Sequence, residues 1–109
     1  MKKLILLLLL ASPLTAQAPT FFYVTTAVDA NGLESVFSNQ ATVTFAQGQH
    51  VANLTWTAST STVAGYNVYR SKVSGGPYTK VNAALVTSVT YTDQFTLPNP
   101  PSGLAATPN

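Results

Sequence analysis

"FFYVTTAVDANGLES", residues Phe21–Ser35, decides how the chain folds. Its first half is aromatic and β-branched, the composition that suits a pleated, half-buried strand. Asp29–Glu34 then changes to turn chemistry, and the Asn31–Gly32 pair is able to take the positive φ angles of a tight hairpin. The return follows at once in "SVFSNQATVTFA", Ser35–Ala46. Two strands, Thr20–Val28 and Ser35–Ala46, are therefore expected to pair antiparallel.

The same rhythm continues downstream. "HVANLTWT", His50–Thr57, alternates, with Ala52, Leu54 and Trp56 on one face and Val51, Asn53, Thr55 and Thr57 on the other. The apolar face belongs inside, which makes Trp56 its anchor. After the Ser/Thr-rich stretch come "YNVYRS" (Tyr66–Ser71), a turn at Gly75-Gly76-Pro77, "YTKVN" (Tyr78–Asn82) and "SVTYTD" (Ser88–Asp93). No stretch after Ala18 sustains a helical period, so the fold class is all-β with six strands. Gln94–Asn109 holds four prolines and no alternation, which reads as a loop or an edge segment.

Ahead of this lies "MKKLILLLLLASPLTAQAPT", with a basic start, a short apolar run and small residues after it. That is the pattern of a secretory signal over residues 1–16, cut after Ala16; Ser12 and Pro13 interrupt it well short of the roughly 20 apolar residues that span a bilayer. Secretion to the periplasm, the cell surface or the medium is expected. There is no cysteine, so packing alone must hold the domain in an oxidising destination. The chain is 46% hydrophobic and 7% charged, a globular balance. Its formal charge of +2 comes from Lys2 and Lys3; Arg70, Lys72 and Lys80 balance Asp29, Glu34 and Asp93. With no basic cluster, nucleic acid is not an expected partner. The three downstream basic residues read as solvated strand or turn positions.

"ANLTWTAS", "AGYNVYRSKVSGGPYTKVN" and "SVTYTD" together resemble the second through fifth strands of a fibronectin type III domain of the bacterial sort, and "TFFYVTTAVDANGLESVFSNQATVT" resembles its last two. The resemblance covers nearly all of residues 17–109. It implies an immunoglobulin-like β-sandwich of seven strands with Trp56 and Tyr66 in the core, joined there by Tyr23 and Tyr91. It also implies that Asp29, Ala30, Asn31, Gly32, Leu33 and Glu34 form an exposed loop, the candidate binding loop. The strand order departs from the family's. The last two strands stand first, and "PPSGLAATPN", which looks like a first strand, stands last. The chain thus resembles a circular permutant, with Ala46–Gln49 joining the sheets across a reach of roughly 13 Å. Phe21 takes the place where the family keeps a tyrosine that bonds backbone, so that corner loses a donor.

The domain division is then residues 1–16 as signal, 17–97 as sandwich and 98–109 as a Pro-rich tail or edge strand. The tail is expected along the edge beside the His50–Thr57 strand. To get there, Gln94–Asn99 must climb about 17–20 Å, nearly its full reach.

Little in the chain suggests catalysis. His50 is the one histidine, and the carboxylates Asp29, Glu34 and Asp93 are read in separate loops without a nucleophile elbow. Asp29, Asn31 and Glu34 are a sparse oxygen set for a cation, and hairpin geometry already explains them. No catalytic, cofactor or metal site is expected. "NLT" at Asn53 is a formal glycosylation sequon inside a strand and reads as incidental, and Tyr69 and Tyr78 are candidates for a solvent-facing contact surface, with sheet-face packing the favoured reading of both. The expected function is an exported, non-enzymatic binding or structural module whose ligand is a protein or surface polysaccharide. A monomer is favoured. The alternatives are an assembly subunit of a virion or surface array, exchanging its C-terminal tail head to tail, and an accessory module for polysaccharide.

Overall fold

A computed structural model describes residues 19–109; the expected signal, residues 1–16, lies outside the described residues. Six strands follow in order: β1 (Thr20–Val28), β2 (Ala41–Thr44), β3 (Val51–Thr55), β4 (Gly65–Ser71), β5 (Thr79–Lys80) and β6 (Thr90–Gln94). Every pairing among them is antiparallel, and no described helix is long and apolar enough to cross a membrane. The chain is all-β.

The strands form a four-stranded sheet ordered β2-β1-β4-β5 and a separate pair, β3-β6. β1 is the centre of the larger sheet. Its register with β4 runs the full length from Phe22↔Ser71 to Val28↔Gly65, while β2 meets only its first residues, Thr20–Tyr23. Both sheets feed one core. Phe21 and Tyr23 of β1, Val68 of β4, Ala52 of β3 and Phe45 form its buried centre, and Leu54, Trp56, Tyr91 and Phe95 pack against it. Phe21, Phe45 and Phe95 meet edge to face, with ring centroids 4.8–5.5 Å apart, the arrangement aromatic quadrupoles prefer. Ala46–Gln49 makes the turn that carries the chain from β2 to β3, closed by Gln49 N–H on the Ala46 carbonyl at 3.0 Å.

The alternation in β3 holds: Ala52, Leu54 and Trp56 turn inward while Val51, Asn53 and Thr55 are exposed. Tyr23 and Tyr66 are buried core residues, and Tyr91 is half-buried with its hydroxyl on the Val81 carbonyl at 3.2 Å. Trp56 sits at the margin of the core rather than its centre. Its ring is edge-on to Tyr66 at 5.5 Å, and its buried indole N–H has no hydrogen-bond partner among the described residues. The centre is held instead by Tyr23 and Val68, the largest fully buried side chains. Gly65 is required where the 85–86 segment crosses β4, because a Cβ there would lie 2.6 Å from the Leu85 side chain and 2.7 Å from the Val86 carbonyl.

Two sequence expectations change for local reasons. The return strand begins at Ala41 rather than Ser35, because Ser35 and Ser38 bond β1 through their side chains. The hairpin uses one positive φ, at Gly32 (+84°), and none at Asn31. Gly32 N–H bonds the Asp29 carbonyl and Asp29 N–H bonds the Leu33 carbonyl, both at 3.0 Å. The Asp29 carboxylate accepts from Asn31 and Leu33 N–H, each at 2.9 Å. An aspartate that ties down its own turn lets Ala30 and Asn31 stay in ordinary backbone and moves the left-handed residue one place on.

The tail also departs from expectation. Residues 98–109 carry no strand hydrogen bonding and are exposed throughout, so the segment is a free tail and not an edge strand on its own β3. It leaves from the pole the sequence reading expected, since Phe95 N–H bonds the His50 carbonyl at 3.0 Å and places the start of the tail beside the start of β3, but it does not climb back along that strand.

Candidate functional site

Alternation along β1 and β4 gives the larger sheet two distinct faces. Tyr23 and Val68 point into the shared core, so Val24 and Tyr69, which are register partners, point away from it. Val24 is nonetheless only 3% exposed. Beside it on that face, from its register partner Tyr69 outward, lies a second, smaller aromatic group. Phe37 lies edge to face with both Tyr69 and Tyr78, at ring-centroid distances of 5.2 Å each. Phe37 itself is half-exposed, and Leu33 and Val36 in the same segment are exposed, Val36 at 88%.

Phe37 stands there because of the two serines around it. Ser38 N–H bonds the Thr25 carbonyl at 2.9 Å while its Oγ accepts from Thr25 N–H at 2.9 Å. Ser35 repeats this on Ala27, with N–H to carbonyl at 2.8 Å and Oγ accepting at 2.9 Å. Each hydroxyl does the work of a strand carbonyl, then donates onward to Val36 O or Asn39 O. β1 thus keeps its hydrogen bonds although no regular strand lies beside Thr25–Ala27. The chain between the serines is free to turn Val36 and Phe37 out of the ladder.

Polar groups fix this outer face. Glu34 Oε2 accepts from Thr26 Oγ1 at 2.6 Å and from the Tyr69 hydroxyl. Those bonds, Thr26 first and then Tyr69, hold the Glu34 carboxyl below its usual range, and the Glu34 bond raises the Tyr69 hydroxyl above its own. Gln40 accepts from the Tyr78 hydroxyl and from Gly75 N–H at 2.8 Å, and donates to Ser74 at 3.0 Å. Tyr69 and Tyr78 are therefore locked in place beneath Phe37. The sequence singled out both tyrosines, but it missed Val36 and Phe37. The available signal was an adjacent apolar pair between two serines three residues apart.

In the candidate binding loop, Asp29 is committed to its turn and Glu34 to Thr26 and Tyr69, which leaves Ala30, Asn31, Gly32 and Leu33 exposed. The loop's exposed chemistry is an amide and a leucine rather than a carboxylate set. Among the described residues no group of three acidic or histidine side chains comes together to hold a metal ion.

Asp93 is not in a loop. It is a β6 residue, 4% exposed, and it accepts from Arg70 Nη1 at 2.7 Å and from the Tyr23 hydroxyl at 2.7 Å. Arg70 is likewise not a solvated position: its guanidinium lies 4.9 Å from the Phe21 ring centroid and ties β4 of one sheet to β6 of the other. Burial, aided by the Asp93 bond, pushes the Tyr23 hydroxyl well above its ordinary pKa. This triad joins the two sheets. His50, exposed, lies 3.3 Å through Nδ1 from the Gly48 carbonyl and takes no part in it.

On the core side of the larger sheet, a groove of about 450 Å³ runs between Ser35–Asn39 and Thr55–Ser59 and is lined by Trp56 and Tyr66. A smaller one of about 90 Å³ adjoins it, lined by Tyr23, Ala41, Leu54 and Trp56. No family model, curated protein or solved structure matches the chain.

Proposed function

We propose that this chain is an exported, non-enzymatic β-sandwich similar to a fibronectin type III domain of the bacterial kind, circularly permuted, that works as a binding or structural module at or beyond the cell surface. The observation that carries the binding reading is the Phe37–Tyr69–Tyr78 group. It is an apolar surface held rigid by hydrogen bonds to Glu34 and Gln40 and left half-open to solvent. Rigid aromatics supply contact area at small entropic cost, and their flanking amide, hydroxyl and carboxylate groups give the polar rim that protein and polysaccharide ligands both use.

The sheet order supports the family reading. In an immunoglobulin-like sandwich the third, sixth and seventh strands share one sheet, while the second and fifth share the other. Taking β1 and β2 as sixth and seventh and β3 to β6 as second to fifth puts β2-β1-β4 in the first arrangement and β3-β6 in the second. The first strand is then the missing neighbour of β3. Non-enzymatic work fits the use of the carboxylates, since Asp29, Glu34 and Asp93 each hold a structural partner.

Binding to a panel of immobilised polysaccharides and surface proteins from the source organism, read for the parent and for Phe37→Ser, tests the reading. We expect one class to be retained by the parent and lost by Phe37→Ser with an unchanged fold. A ligand held equally by both proteins would overturn the assignment of this face.

A further inference from the structure

We propose that the tail of one molecule adds as a strand to the open edge of β3 in a second copy, linking copies head to tail. This inference rests on the β3 edge and the tail, not on the aromatic face, so either can fail without the other.

The edge is defined by the ladder. Phe95 N–H bonds His50 O and Trp56 N–H bonds Val89 O, both at 3.0 Å, so the even-numbered residues of β3 exchange hydrogen bonds with β6. In an antiparallel pair the odd-numbered residues then aim their N–H and C=O groups the other way. Val51, Asn53 and Thr55 present those groups to a side where, among the described residues, no strand lies, and all three are exposed. Two grooves adjoin the Leu54–Trp56 end of β3, and neither is lined by any residue of β6.

The tail has the matching chemistry. Ser102–Thr107 is its longest proline-free run, so every residue in it offers an N–H, and Pro101 and Pro108 bound it at either end. Leu104 is an apolar side chain left 97% exposed. Laid antiparallel on β3 with Gly103 opposite Thr55, Ala105 opposite Asn53 and Thr107 opposite Val51, the tail bonds all three free positions. The pleat then turns Leu104 and Ala106 to the inner face beside Leu54 and Ala52, and Leu54 lines the smaller groove.

The molecule cannot do this to itself. Phe95 lies opposite His50, whereas Ser102 would have to lie opposite Trp56 on the far side of β3. That is about 20 Å along the strand and about 10 Å across two strand spacings, roughly 22 Å in a straight line through the sheet. Seven links that include three prolines reach only about 22–24 Å, with nothing left for a path around β3. A second molecule meets no such limit, and because tail and edge are different surfaces the contact is heterologous.

Light scattering of the purified protein across a dilution series tests this. We expect the average mass to at least double over about a hundredfold rise in concentration. The rise should vanish in three variants: deletion of residues 98–109, Leu104→Asp, and Asn53→Pro, which removes one edge donor. Mixing Leu104→Asp, which keeps its edge, with Asn53→Pro, which keeps its tail, should restore a one-to-one dimer. The emission of Trp56, the one tryptophan, should shift in that mixture. A mass that stays monomeric throughout, or association that survives loss of the tail, overturns the proposal.

Discussion

β1 and β3 serve the same core, yet they are flanked in opposite ways. β1 has a partner on each side, and where β2 stops, Ser35 and Ser38 take over its bonds to Ala27 and Thr25. Residues of both its faces are buried, Phe21 and Tyr23 in the shared core and Val24, Thr26 and Val28 on the face that carries Tyr69. Among the described residues β3 is covered on its inner face only, pairs on one side only, and leaves alternate backbone groups open on the other. The difference separates two kinds of work. The closed strand carries stability and displays a rigid aromatic surface, whereas the open one keeps the capacity to accept another strand.

The contrast is broken most severely at Tyr23. Tyr23→Ala should cost about 3–5 kcal/mol, a large part of the 5–15 kcal/mol typical of a domain, because it empties the core centre and strips a donor from buried Asp93. Denaturant unfolding measures this; a loss below about 1 kcal/mol would mean that β1 does not hold the core. Raised pH attacks the same sheet, on β1 and its partner β4. Tyr23, through burial, and Tyr69, through its bond to Glu34, are both raised above an ordinary value of 10.0. A group with a raised folded pKa contributes fully below its unfolded value and loses that contribution as pH climbs past it, so stability should hold to about pH 10 and then fall. Glu34 is shifted the other way. Its contribution is present above its ordinary value of 4.5 and fades as pH falls through its lowered one, and being exposed it should give only a shallow acid limb.

Much of β1 was legible because Thr20–Val28 is dense in aromatic and β-branched residues, and its boundaries match the structure residue for residue. β3 was legible through alternation alone. The Ser35 and Ser38 bonds were hidden because serine reads as loop in composition, and only the register shows its hydroxyls standing in for carbonyls. The Tyr23–Asp93–Arg70 triad was hidden for a different reason: its members lie 23 and 70 positions apart in sequence, so that no local pattern joins them. The tail's departure point was implicit in the antiparallel order, but its exposure depends on how much reach the prolines remove.

Smaller changes sharpen the comparison. Thr25→Pro removes the N–H that bonds Ser38 and should cost roughly 1–3 kcal/mol from the lost bond alone, and Ser35→Ala or Ser38→Ala about 1 kcal/mol each. Asn53→Pro on β3 removes an N–H that faces no strand and should stay within about 1 kcal/mol in the monomer. Thermal melts of the two proline variants side by side check the pair; equal losses would mean that β3 is not an edge.

Residue-resolved amide hydrogen exchange at low concentration tests the central claim, that β1 is closed and β3 open, most directly. Thr25 and Ala27 should exchange only with global unfolding. Along β3, protection should alternate, with Ala52, Leu54 and Trp56 slow and Val51, Asn53 and Thr55 fast. Uniform protection along β3, or fast exchange at Thr25 and Ala27, would contradict it.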